Sequence, residues 1–124
     1  GVDLSAGENQ LFGTNTVDKR HFTAFSMQHN TAANAEIADE ETIKIMNPLN
    51  YIGKPGVNLP QNWRIRVGTN DRDTSLAVSA ILAAKLQNNG QTVDYALPWD
   101  VGHGGDYDLD ELFAWMKQVS SSAK

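Results

Sequence analysis

The second half of the chain orders its apolar and polar positions far more regularly than the first. Between Thr74 and Asn89 apolar residues recur at Val78, Leu82 and Leu86, with Ile81 beside them, the spacing of one helix face. Gly90 then predicts the helix stop, since a residue without a β-carbon closes a helix easily in the left-handed conformation. Two short runs flank this segment, Asn62 to Val67 (NWRIRV) and Thr92 to Leu97 (TVDYAL), and both read as strands. Asp108 with Glu111 predicts a capping box for a last helix that buries Leu109, Leu112, Phe113, Met116 and Val119. Strand, turn, helix, strand, loop, helix is the order of two parallel strands joined by a right-handed crossover.

The first half lacks this regularity. Residues 1 to 34 mix Gly, Asn, Thr and Ser with Phe12, His21, Phe22 and Phe25, which predicts irregular but ordered structure, because a disordered linker holds fewer Phe. Residues 34 to 46 (NAEIADEETIKIM) predict a helix whose acidic half suits the positive end of its dipole and which Pro48 halts. Residues 47 to 61, with three Pro and two Gly, predict a loop. A parallel sheet needs both faces covered and more than two strands. With no clear strand in the first half, the chain reads as part of a larger α/β domain. The alternative is that residues 9 to 30 hide strands of a complete small α/β domain.

Composition narrows the partners. The 124 residues suit one small domain, and 40% hydrophobic content with three Trp supports a packed core. Trp63, Trp99 and Trp115 read as core, although Trp99 stands in a loop that could line a pocket. A net charge of −5 without a basic cluster argues against nucleic acid or an anionic membrane as partner. The absence of cysteine removes disulfides, thiolate metal sites and cysteine nucleophiles. No apolar run approaches the roughly 18 residues that span a bilayer. GVDLSAGENQ shows no signal-peptide pattern, and the compartment stays open between cytoplasmic and secreted.

The candidate chemistry lies where the two predicted strands end. In open α/β sheets ligands bind at the carboxyl ends of the strands. Those ends lead into GTNDRD (68 to 73) and PWDVGHGGDYD (98 to 108), so carboxylates and a histidine should face one crevice. A carboxylate fixes the tautomer of an imidazole and stabilises its charged form, and the imidazole then takes a proton from a nucleophile. Asp71 before His103 keeps the acid-then-histidine order of the α/β-hydrolases, and Gly68-x-x-Asp71 after a strand suits their acid turn. Each piece has a plainer reading: a histidine in a Gly-rich loop is commonly a surface residue, and Asp73 could cap the helix that follows.

Other constellations fail on spacing. Asp106, Asp108, Asp110 and Glu111 begin like a calcium loop, but an EF-hand needs Gly at its sixth position and Glu at its twelfth, where Glu111 and Lys117 stand. Acids favouring a helix N-terminus account for them. His21 and His29 have no paired ligand spacing and read as surface or packing residues. Neither a P-loop nor a nucleotide-binding glycine fingerprint is present.

WRIRVGTNDRDTSLAVSAILAAKLQNNG followed by VDYALPWDVGHGGDYDLDELFAW resembles the C-terminal end of bacterial tannases. SAGENQLFGT, HFTAFS and IMNPLNYIG are similar to the same family, so the resemblance spans about residues 5 to 118. It implies a serine esterase of the α/β-hydrolase superfamily acting on galloyl or other hydroxyaromatic esters, with Asp71 as triad acid and His103 as triad base. It implies that Asp73, and secondarily Glu8, accept hydrogen bonds from the substrate's phenolic hydroxyls, and that neither a metal nor a cofactor is needed. A family lysine that binds the phenol ring has no secure match; Lys19 and Lys54 are candidates. Residues 1 to 124 would form the C-terminal part of one catalytic domain: 1 to 61 a mostly irregular substrate-side segment, 62 to 119 the βαβα unit carrying acid and histidine.

One departure bears on function. The G-x-S-x-G nucleophile elbow is absent: Ser5, Ser26, Ser75 and Ser79 all fail the motif. The resemblance therefore implies that the serine comes from an N-terminal part of the same hydrolase, and that this chain alone is inactive. Val67 stands where many α/β-hydrolases place a His, a change expected to affect packing. The competing readings are a general carboxylesterase or feruloyl esterase, and a non-catalytic binding module that kept the hydrolase loops.

Overall fold

A computed structural model describes residues 1 to 105 and 107 to 121. Asp106, first of the acids weighed as a calcium loop, lies outside the described residues. The chain divides into two compact units, Gly1–Lys54 and Pro55–Lys124. Among the described residues no helix is long and apolar enough to cross a membrane.

The first unit holds little regular structure. A 3-10 turn covers Gly7–Phe12, and two short helices follow, α1 (Ala24–Gln28) and α2 (Glu40–Met46), before a second 3-10 turn at Pro48–Asn50. The helix expected over residues 34 to 46 begins only at Glu40, because Asp39 caps it: its carboxylate accepts from the Thr42 amide at 2.8 Å and the Thr42 hydroxyl at 2.8 Å. Before it, Asn34 sits in a turn with φ +53°, and Ile37 forms a parallel bridge with His21, whose amide donates to the Glu36 carbonyl and whose carbonyl accepts from Ala38, both at 2.8 Å. Side chains fill the role that ladders play elsewhere. Asn9 is buried and donates to the Arg20 carbonyl at 2.9 Å, and Phe12 stacks on Phe22 with ring centroids 4.3 Å apart. His21, read from the sequence as a surface or packing residue, is fully buried.

The second unit carries β1 (Asn62–Arg66), α3 (Leu76–Asn88), β2 (Thr92–Ala96) and α4 (Leu109–Ser121). The strands pair in parallel, Asn62 opposite Thr92 and Arg66 opposite Ala96. After α3, Gly90 adopts φ +84°, its amide reaches the Gln87 carbonyl at 3.0 Å, and the Gln91 amide reaches that of Leu86 at 3.1 Å. These are the paired closing bonds of a left-handed helix stop.

The inward faces match the apolar stripes only in part: Leu86 is fully buried and Leu82 half-buried as the stripe suggests, but other members are exposed. α3 buries Ser79, Ala83 and Leu86, while Val78 and Ile81 are exposed. Small residues let the helix lie close to the strands, and Ser79 still satisfies its hydroxyl with the Leu76 carbonyl at 2.9 Å and the Tyr95 hydroxyl at 3.1 Å. On α4, Leu112, Trp115 and Val119 are half-buried, whereas Leu109, Phe113 and Met116, expected inside, are exposed. Two strands offer too little surface to cover both sides of each helix. Trp99, read as core, is 87% exposed.

Candidate active site

Two loops leave the carboxyl ends of β1 and β2 and lie against each other. The Thr69 amide donates to the Pro98 carbonyl at 2.9 Å, the Asn70 amide to that of Val101 at 2.9 Å, and the Asp100 amide to the Thr69 hydroxyl at 2.7 Å. Gly68 makes the contact possible: a β-carbon there would meet the Val101 carbonyl oxygen at 2.1 Å. The glycine of the acid turn is therefore required by a close approach of backbone to backbone.

Asp71 sits at the head of this turn with its side chain only 7% exposed. One carboxylate oxygen accepts from the backbone amides of Asp73 at 2.8 Å and Thr74 at 2.9 Å. The other faces His103 Nδ1 at 3.1 Å. The Thr74 amide, then that of Asp73 and the His103 ring hold the Asp71 carboxyl below its ordinary range, against the opposing effect of burial. The acid is thus fixed and anionic, with one oxygen committed to its own turn and one to the imidazole. His103 is 58% exposed.

Asp73 places its carboxylate 3.8 Å from His103 Nδ1 and is 58% exposed. The capping role open to it is not realised: the helix begins at Leu76 after Ser75, and Asp71 takes the free amides of the turn. Asp71, Asp73 and His103 bring ligand-type atoms within 4.8 Å of one another, the one such group among the described residues, so a divalent cation has a donor set here. Glu8 belongs to the first unit, half-buried in the first turn of its 3-10 segment. Of the candidate lysines, Lys19 is half-buried and Lys54 lies over the Tyr51 ring, 5.4 Å from its centroid.

Sequence reading missed an ionic cluster beside these loops. Arg64 and Arg66 project from the same face of β1, two residues apart, and Arg64 pairs in register with Asp94. Arg64 binds Asp94, and Arg66 NH2 reaches both Asp94 carboxylate oxygens, at 2.8 and 2.9 Å. Asp108 accepts from Arg64 at 2.6 Å and lies 3.3 Å from Arg66 Nε, with Glu111 3.3 Å from Arg64. The two acids read as a capping box thus share Arg64. Charges at alternate positions of a strand, with an acid at the matching position of its neighbour, were the available signal.

No family model and no curated protein matches the chain. Solved structures do. The chain is similar to a tannase from Lactobacillus plantarum at 45% identity and TM-score 0.80, over 96% of this chain and 25% of that one. A tannin acyl hydrolase in complex with ethyl gallate matches at 46% identity and TM-score 0.79, over 95% of this chain and 25% of that one. The tannase of Fusobacterium nucleatum matches at 47% identity and TM-score 0.77, over 96% and 26%. The chain thus spans about a quarter of the length of the relatives it matches. With such identity along nearly its whole length, and the same backbone arrangement, the chain belongs to the tannase family, matching its C-terminal part.

Proposed function

We propose that this chain supplies the acid and the base of a serine esterase acting on galloyl or related hydroxyaromatic esters. The observation that carries the reading is the 3.1 Å pairing of Asp71 with His103 across two adjacent strand ends, in a chain of the tannase family. The domain is an α/β-hydrolase catalytic domain, with β1, α3, β2 and α4 as its last parallel strands and helices. Its serine lies in an N-terminal part of the same hydrolase.

The pairing supports the following chemistry. Asp71 accepts a hydrogen bond from Nδ1–H, which leaves Nε2 unprotonated and facing away from the acid. Nε2 removes the proton of the serine hydroxyl as its oxygen attacks the ester carbonyl. The imidazolium then protonates the departing alcohol, leaving an acyl-serine. Water, deprotonated by the same Nε2, attacks that ester, and gallate and free serine result. Asp71 stays anionic and stabilises the imidazolium throughout. Asp73, with its carboxylate beside the imidazole and outside any cap, accepts from phenolic hydroxyls. Each carboxylate oxygen can take one hydroxyl of a vicinal pair, and the charge strengthens both bonds.

The test is hydrolysis of ethyl gallate by the complete polypeptide, native and with His103→Ala, after its intact mass is measured. Loss of at least about a thousandfold in kcat is expected from removing the base. Undiminished turnover would overturn the assignment. Absence of turnover in the native protein would favour the non-catalytic binding module.

A further inference from the structure

We infer that Asp108 is a positioning residue for His103: held by Arg64 and Arg66, its carboxylate fixes the far end of the loop that carries the imidazole. The inference rests on the reading of His103 as the base, and it names a residue beyond the proposed triad.

The loop runs from the end of β2 to the start of α4. Its near end is stitched to the acid turn as far as Val101, through the bonds of Thr69 and Asn70 and the close approach of Gly68. Beyond Val101 come Gly102, His103, Gly104 and Gly105, all exposed. Three glycines in four residues leave the backbone wide freedom, so this stretch does not hold a ring in place by itself. A cavity of about 190 Å³ lies beside it, lined by Arg64, Arg66, Gly104, Gly105, Tyr107 and Asp108 among others. The loop is therefore not packed tightly on the strand at this point.

What ties it down at the far end is ionic. The Asp108 side chain is 17% exposed and that of Arg64 8%. Their contact at 2.6 Å is a largely desolvated charge pair, which is costly to break because the surviving charge stays buried. Arg64 and Arg66 are themselves locked onto β2 through Asp94, so Asp108 is fastened to the sheet and not to a mobile surface group. Glu111 also reaches Arg64, but it is exposed and solvent weakens its contribution. The imidazole thus hangs between two anchors, the acid turn on one side and the arginine pair on the other. Loosening the far anchor displaces the ring, and with it Nε2 and the Nδ1 contact to Asp71, without altering the acid turn itself.

The experiment compares the native polypeptide with Asp108→Asn, Asp108→Glu and Glu111→Gln. It reads the low-field proton resonance of His103 Nδ1–H by NMR, and kcat and KM for ethyl gallate. Asp108→Asn should broaden or shift the resonance and lower kcat about 10- to 100-fold while KM moves less than about twofold, because misplacing a catalytic group by an ångström carries a penalty of that order. Asp108→Glu should recover part of both, and Glu111→Gln should change neither. A folded Asp108→Asn protein that keeps the native resonance and kcat would overturn the inference. Should Asp108→Asn fail to fold, Arg64→Lys, whose single ammonium cannot serve Asp94 and Asp108 together as the two guanidinium nitrogens do, replaces it; an unchanged resonance there overturns the inference equally. If His103→Ala retains turnover, the catalytic reading fails, while the resonance still reports whether Asp108 sets the ring.

Discussion

Gly68 and Val101 meet so closely that a β-carbon on the glycine would stand 2.1 Å from the valine carbonyl oxygen. The acid turn and the histidine loop therefore touch backbone to backbone, and the separation of Asp71 from His103 depends on that contact. Gly68→Ala forces the loops apart, since no flexible side chain is there to yield. It should lower stability by about 1–3 kcal/mol, the usual penalty for overpacking. Turnover should fall by more than the fraction unfolded accounts for. Urea unfolding with ethyl gallate kinetics on the same samples checks both, and a variant as stable and active as the native protein would mean that the loops stand further apart in solution.

The depressed Asp71 carboxyl has a consequence for stability in acid. The Thr74 and Asp73 amides and the His103 ring all favour its anionic form in the folded chain, holding it below the ordinary 3.8. A group depressed on folding contributes stability above its unfolded value and loses it as pH falls through the folded one. Melting temperature should therefore be level in this respect above the ordinary carboxylate range and drop below it. Asp71→Asn lacks that titration and should flatten the acid limb of the curve. Parallel acid limbs for both proteins would show that the carboxylate gains nothing from its turn.

Asp73 separates a phenol-reading role from a structural one. Its side chain does not cap α3, so replacing it should leave the fold intact. Asp73→Asn removes one charged acceptor, worth about 1.5–3 kcal/mol when it binds a hydroxyl. Turnover efficiency on ethyl gallate should drop roughly 10- to 150-fold, while an ester without phenolic hydroxyls is cleaved as before. Equal losses on both esters would remove Asp73 from substrate recognition and favour a general carboxylesterase.

What the sequence made legible was local. β1, α3, β2 and α4 each announce themselves within a short window, and their observed ends fall within about two residues of the pattern. Two loops at the carboxyl ends of neighbouring parallel strands must lie side by side, and this is how Asp71 comes to face His103. What stayed hidden depends on pairings distant in the chain. Arg64 finds Asp94 thirty residues on and Asp108 forty-four residues on, and only register and loop path bring them together. The inward face of α3 was only partly legible, because Ser79 and Ala83 are buried for being small, a reason that an apolar count does not register. Residues 34 to 39 have a helical composition, but Asp39 starts the helix late and the His21 bridge takes the segment before it.

His21 and Asn30 hold the first unit in a way that can be measured as a coupling. The His21 ring is fully buried, and its Nε2 lies 2.8 Å from the Asn30 side-chain oxygen. Asn30 also donates to the Ala32 carbonyl at 2.8 Å and accepts from the Ala32 amide at 3.0 Å, so the ring is bonded to a side chain that is itself locked to a turn. On the other side, the His21 backbone bridges to the segment around Ile37. In a unit with so little regular structure, this junction joins two stretches that no ladder connects. His21→Ala and Asn30→Ala should each destabilise the protein, and the double variant should lose less than the sum. The shortfall should be on the order of 0.5–3 kcal/mol, the range for residues in direct contact within one network. Denaturant unfolding of the four proteins gives the cycle. Strict additivity would mean that the histidine contributes packing alone and that the hydrogen bond does not hold the two stretches together.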